Sequence, residues 1–187
     1  QNEVRKEREK FDEVLVEVEK ELLSNISSVK NAIGFYTFKS QILLSIQFDT
    51  IKIEEYVDQK SVFYLYILTV LDHARFQDES LNKLSQINNL TKEQESIMDD
   101  LIYLNVHGKA YFNESTVVLK NLQRINGDKF QSFDWYRSWL FNDFYDERMI
   151  NYFFKDPDFI NRASRQYITE REHLNWLLTY DRTAIES

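Results

Sequence analysis

Three glycines and one proline are all the chain breakers this sequence holds in 187 residues. A β-sandwich or barrel turns roughly every ten residues and relies on such residues to do so, which excludes those architectures. A few long helices remain. A chain of this size buries roughly 70% of the surface its unfolded form exposes, enough for one domain with a sizeable core. The expectation is an all-α fold: a single domain over residues 1–187, built as an elongated antiparallel helical bundle with three long helices and two or three shorter ones.

The first helix follows from a near-heptad of apolar residues, Val4, Phe11, Leu15, Val18, Leu22 and Val29, with Arg8 and Asn25 in its polar slots. Glu7, Lys10, Glu13, Glu17 and Glu21 occupy the opposite face, so one stripe is buried and the rest is wet. This helix is expected to reach about Gln47, with Gly34 the natural place for a kink. Asp58 or Ser61 suits the N-cap of an almost wholly apolar helix from Val62 to about Phe76. A short helix from Glu79 to Ile87 precedes a turn at Asn88-Asn89.

Thr91 and Gln94 have the spacing of a capping box. Beyond them Ile97, Leu101, Leu104, Gly108, Tyr111, Ser115, Val118, Leu122 and Ile125 keep a four-three spacing, the mark of a long helix packed at a shallow angle. Gly108 and Ser115 are its small members and leave room for a bulky aromatic from a neighbour. Asn126-Gly127-Asp128 is expected to end this helix, with Gly127 in the left-handed position after the cap. Asp156-Pro157 reads as a cap followed by proline in the first helical position, opening a last helix that runs to about Ile185.

Eleven of the chain's twenty-eight aromatic residues fall between Phe130 and Phe154. Each ring can bury roughly 150–250 Å², so the long helices before and after this stretch should pack onto it. Asp134 is expected to cap its first short helix.

An excess of 31 acidic over 23 basic residues, a net charge of −8, argues against nucleic acid as a partner. The absence of cysteine excludes disulfides, thiolate metal sites and cysteine nucleophiles. No apolar run reaches the roughly 18–20 residues of a membrane span, the longest being Ser61 to Leu71. Because the sequence opens on Gln1, a signal or anchor is expected to precede it.

Two stretches carry a family resemblance. The opening Gln1-Asn-Glu-Val-Arg-Lys-Glu-Arg-Glu-Lys10, leading into the helix that contains Leu22, resembles the segment following the membrane span in a domain-of-unknown-function family of Bacteroidota. The run Phe154-Lys-Asp-Pro-Asp-Phe-Ile-Asn-Arg162 and the helix after it resemble that family's closing segment. The resemblance implies a helical domain on the periplasmic side of the inner membrane, held by an N-terminal anchor. It transfers no catalytic residue. A cytoplasmic helical adaptor is the other reading.

Candidate sites are few. Glu170 and His173 form half of the Glu-x-x-His pattern of di-iron bundles, but neither His73 nor His107 supplies the second half, so the pair is read as exposed or locally paired. His107 is expected to be a satisfied histidine of the buried seam. Asp72 and His73 point about 100° apart on a helix, and Asp99-Asp100 lacks a third carboxylate. No catalytic set, metal site or cofactor is assigned. Trp135, Tyr136, Arg137 and Trp139 are the candidate ligand or partner site, an aromatic face edged with arginine; the more ordinary reading of the same rings is core between the long helices. The function expected is non-enzymatic, protein contact or sensing, with self-association or another protein as partner. An enzyme or small-molecule pocket in the 130–154 region is the alternative.

Overall fold

The computed structural model describes residues 2–48, 67–72, 74–137 and 147–186, and among these every regular element is helical. Five helices carry the fold: α1 (Asn2–Gln47), α2 (Glu79–Leu84), α3 (Lys92–Gln131), α4 (Glu147–Lys155) and α5 (Pro157–Glu186). Residues 67–69 and 134–137 are also helical. No described helix is long and apolar enough to cross a membrane.

Local chemistry accounts for most boundaries. The Gln94 amide N–H donates to Thr91 Oγ1 at 3.2 Å and the Thr91 N–H to Gln94 Oε1 at 3.1 Å, a reciprocal capping box that opens α3. At the start of α5 the Asp158 N–H donates to Asp156 Oδ1 at 2.8 Å, while Pro157 has no N–H to satisfy. Asn89, in the turn before α3, is the one non-glycine residue with positive φ among the described residues, at 58°; Asn tolerates that region better than most side chains.

Three expectations need correction. Gly127 does not end α3, which runs through it to Gln131, and its φ is not positive. The short helix stops at Leu84 rather than Ile87. The apolar helix expected from Val62 to Phe76 begins outside the described residues, but helix ends at Thr69 and the described residues of 70–78 have no regular structure.

The chain divides into two compact units. Unit 1 comprises Gln1–Gly34, His73–Glu114 and Asn175–Ser187; unit 2 comprises Phe35–Asp72 and Ser115–Leu174. In unit 1, Phe11 and Val18 of α1 pack with Leu81 and Leu84 of α2, with Ile87 just beyond α2, and with Leu101 of α3. The near-heptad of α1 is therefore used within the chain. In unit 2, Phe130, Trp135, Tyr152 and Phe153 pack with Ile42, Leu43 and Ile46 of α1 and Phe159 and Ala163 of α5. Phe153 meets Phe159 edge-on at 5.0 Å, and Phe130 meets Tyr152 the same way at 6.2 Å. The described aromatics of the stretch thus belong to the core of this unit or pack against it. Each fully buried ring contributes about 1.5–3 kcal/mol relative to an exposed one.

The segment leaving Thr69 is held by side chains instead of by a ladder. In unit 2, Asn126 donates to the Leu68 carbonyl at 3.2 Å, Gln123 to that of Thr69, Lys39 to that of Val70 at 2.7 Å, and the Tyr36 hydroxyl to that of Asp72 at 2.8 Å. In unit 1, the Arg75 N–H donates to Ser28 Oγ at 2.7 Å, and Asn25 bridges both the N–H and the carbonyl of Gln77 at 2.8 and 2.9 Å. Glu21 then accepts the Ser80 N–H at 2.9 Å, at the start of α2. These bonds satisfy backbone groups that burial would otherwise leave at a cost of about 1–3 kcal/mol each.

Candidate functional site

In unit 1 the α3 residues Tyr103, His107 and Tyr111 recur every four positions and so share one helix face. Trp176, Tyr180 and Thr183, spaced by four and three, likewise share one face of α5. The two rows, with Phe76 from the non-helical segment, line a cleft of about 160 Å³. Its floor is buried: Leu104, Phe112, Leu177 and Tyr180 are all less than one-tenth exposed. Its rim is open, with Tyr103 63%, Tyr111 44% and Trp176 40% exposed. Tyr111 and Trp176 stack at 4.2 Å with their planes 5° apart, and Tyr103 lies 4.3 Å from the His107 ring.

The floor is fixed by polar bonds behind it. Tyr180 lies over Gly108, where a Cβ would come within 2.5 Å of the ring; this is the bulky aromatic that the small residue anticipates. Burial of the Tyr180 hydroxyl pushes its pKa up from the ordinary value, an effect that the nearby Asn25 amide opposes. The buried Asn25 amide bridges Gln77, so a side chain of α1 positions the segment carrying Phe76. Phe76 in turn meets Phe112 at 4.8 Å and Tyr180 at 4.9 Å.

His107 sits on the exposed side of α3 rather than in the seam. The reason lies in the helix period. Leu101, Leu104 and Leu122 are buried as the four-three spacing requires, but beyond Leu104 burial also passes to Phe112, Thr116, Leu119 and Asn126, which lie off that spacing, leaving Tyr111 and Val118 exposed. A straight helix drifts about 20° per heptad, so a strict seven-residue pattern walks off the buried face.

Unit 2 holds a buried polar network. Glu170 and His173 are 0% and 1% exposed, so of the two readings, exposed or locally paired, the exposed one falls and the paired one holds. Lys39 donates to Glu170 Oε1 at 2.5 Å, and Gln166 donates to the same oxygen at 2.5 Å; Glu170 Oε2 has no partner. Asn126 donates to Gln166 Oε1 at 3.2 Å and accepts from Arg162 at 3.3 Å. His173 Nδ1 shares a hydrogen bond with Ser115 at 2.7 Å and meets the Tyr36 ring edge-on at 5.0 Å. Burial pushes the Glu170 carboxyl up and the Lys39 ammonium down, and their mutual attraction opposes both shifts. Among the described residues no group of three or more His, Asp or Glu is placed to hold a metal ion.

The candidate site read from sequence is only partly gathered. Trp135 is 4% exposed and belongs to the core of unit 2, and Tyr136 packs against that core half-buried. Arg137 is exposed. Trp139 lies outside the described residues. A solvent-open depression does border Trp135, edged by Asp134, Arg148, Lys155 and Asp156.

The cleft of unit 1 escaped the sequence reading because its rows sit on two helices 70 residues apart. The available signal was the i, i+4 recurrence of aromatics on each. The chain matches no protein-family model, and comparison with curated proteins and with solved structures returned no match.

Proposed function

We propose that this is a non-enzymatic helical domain that works by contact or sensing, with the aromatic cleft of unit 1 as its recognition surface. The observation that carries this reading is the pairing of a buried, bonded floor with an exposed aromatic rim. Exposed aromatics over a rigid base are where binding energy concentrates. None of the twelve lining residues is a carboxylate, lysine or arginine, and His107 is the single imidazole. Acid–base or nucleophilic turnover needs at least two convergent groups, whereas recognition needs none.

In this reading the domain is held at the periplasmic face by an anchor ahead of Gln1, as the family resemblance implies, and contacts a second copy of itself or another protein. Sedimentation velocity over a wide concentration range tests the contact. The wild type should exceed its 22.6 kDa monomer mass as concentration rises, and Tyr111→Ser with Trp176→Ser should return it toward monomer. A wild-type monomer at every concentration would remove self-contact from the reading. Membrane fractionation of the full-length gene product tests the anchor, and recovery wholly in the soluble fraction would remove it.

A further inference from the structure

Taking the cleft of unit 1 as the recognition surface, we infer that it takes one uncharged aromatic ring system, of benzene to indole size, as a free small molecule. Size is the first ground. At about 160 Å³ the cleft is close to the roughly 150 Å³ apolar cavity that holds one benzene. A second ring in line would extend into solvent.

The walls give the second ground. A guest between the Tyr111–Trp176 stack and the Tyr103–His107 pair meets rings on both sides and the edges of Phe112 and Tyr180 beneath. Offset-stacked and edge-to-face contacts favour a planar π system over an aliphatic body of equal volume.

Polarity gives the third. The hydroxyls of Thr179 and Thr183 donate to carbonyls one turn back on their own helix, both at 2.9 Å, and Tyr180 is buried. What faces a guest polar group is the rim, the His107 ring and the hydroxyls of Tyr103 and Tyr111. The lining holds no cation to pair a carboxylate and no acid to pair an amine, so a charged guest would lose hydration without compensation. A phenol or an indole, with one hydrogen-bonding group at the open end, satisfies all three conditions. The floor already sits in place through Asn25, so binding requires little ordering.

The same ring could arrive as a side chain of a second copy, and the test separates the two. Isothermal titration calorimetry with 4-methylphenol and with indole should give one site with a dissociation constant on the order of 0.1–1 mM. Cyclohexanol should bind about three- to tenfold more weakly, and benzoate about tenfold more weakly. Trp176→Ala, an exposed position, should weaken 4-methylphenol about tenfold, and Thr179→Trp should block the mouth. Circular dichroism checks that both variants keep the wild-type helix content.

Failure of either ring compound to saturate, or equal affinity for cyclohexanol, overturns the inference. If the self-association of the wild type still depends on Tyr111 and Trp176, the recognition surface stands and only the ligand class falls. If 4-methylphenol binds but dissociates the assembly in proportion, the natural guest is the second copy's ring and the free-ligand assignment is overturned. Saturation with unchanged sedimentation supports the free ligand.

Discussion

Lys39→Met is the substitution with the largest consequence that the structure predicts. Lys39 and Glu170 have side chains 4% and 0% exposed, and their contact is the centre of the unit 2 network. Removing the ammonium leaves the Glu170 carboxylate with one donor, Gln166, on Oε1 and none on Oε2, and it deprives the Val70 carbonyl of its partner. Breaking a buried pair from one side costs about 3–5 kcal/mol. Against a total stability of about 5–15 kcal/mol for a domain, that is a large fraction. The double variant Lys39→Met with Glu170→Met removes both charges. It leaves only the Val70 carbonyl and the Gln166 amide short of a partner, and its cost should be about 2 kcal/mol, less than that of Lys39→Met alone.

The pH dependence sharpens the test. With the Lys39 attraction gone, only the Gln166 hydrogen bond still opposes burial, and the folded pKa of Glu170 rises further. A raised carboxyl pKa favours folding fully below the unfolded value of about 4.3, and that contribution is lost as pH rises toward the folded value. The penalty of Lys39→Met should therefore be smaller at pH 4 than at pH 7. Urea unfolding followed by circular dichroism and by tryptophan fluorescence measures all three proteins, with coincidence of the two probes checking two-state behaviour. A penalty under about 1 kcal/mol for Lys39→Met, or a double variant as costly as the two singles added, would refute the reasoning.

Glycine substitutions should split by position: Gly108→Ala drives a Cβ to 2.5 Å from Tyr180 and should cost about 1–3 kcal/mol, whereas Gly34→Ala meets nothing within 4 Å and should stabilise by about 0.5–1 kcal/mol in the same unfolding assay. Asn25→Ala removes both bonds to Gln77 and should lower stability by about 1–3 kcal/mol by the same urea measurement. Asp78 is hydrogen-bonded to Lys109, which holds its carboxyl below the ordinary range. The stability from that pair is present above pH about 4 and is lost as pH falls through the lower folded value. Thermal melts of Asp78→Asn should lack that part of the acid-side decline.

The parts of the fold that rest on local chemistry were legible. Thr91 and Gln94 announce the start of α3, Asp156 and Pro157 that of α5, and the aromatic density after Phe130 marks the unit 2 core. The site was less so, because its chemistry depends on which helix faces meet. Gln166, Glu170 and His173 follow Phe159 and Ala163 and precede Leu177 and Tyr180 at alternating spacings of four and three, a single buried stripe. A reading that tracks only apolar residues sees this stripe as broken in the middle. Trp135 and Tyr136 look like an exposed aromatic face beside Arg137, yet Trp135 stacks on Phe133 at 4.8 Å within the core. The cleft residues Tyr111 and Trp176 touch only once the faces of α3 and α5 are known.

The misread segment after Thr69 explains why those stripes contain polar residues at all. Leu68, Val70 and Leu71 are apolar enough to suggest a buried helix, but an irregular backbone at that depth must find partners for its N–H and carbonyl groups elsewhere. On α1 the partners are Glu21, Asn25 and Ser28 in unit 1 and Tyr36 and Lys39 in unit 2, spaced by four and three within one unit and by three in the other. In each unit the pairing runs antiparallel: 25 with 77 and 28 with 75, then 36 with 72 and 39 with 70. Asn25 in a heptad slot and lysine on a buried stripe look like flaws in an amphipathic helix. Their regular spacing is the sequence trace of a non-helical strand lying alongside, and it was visible on α1 before any coordinate was known.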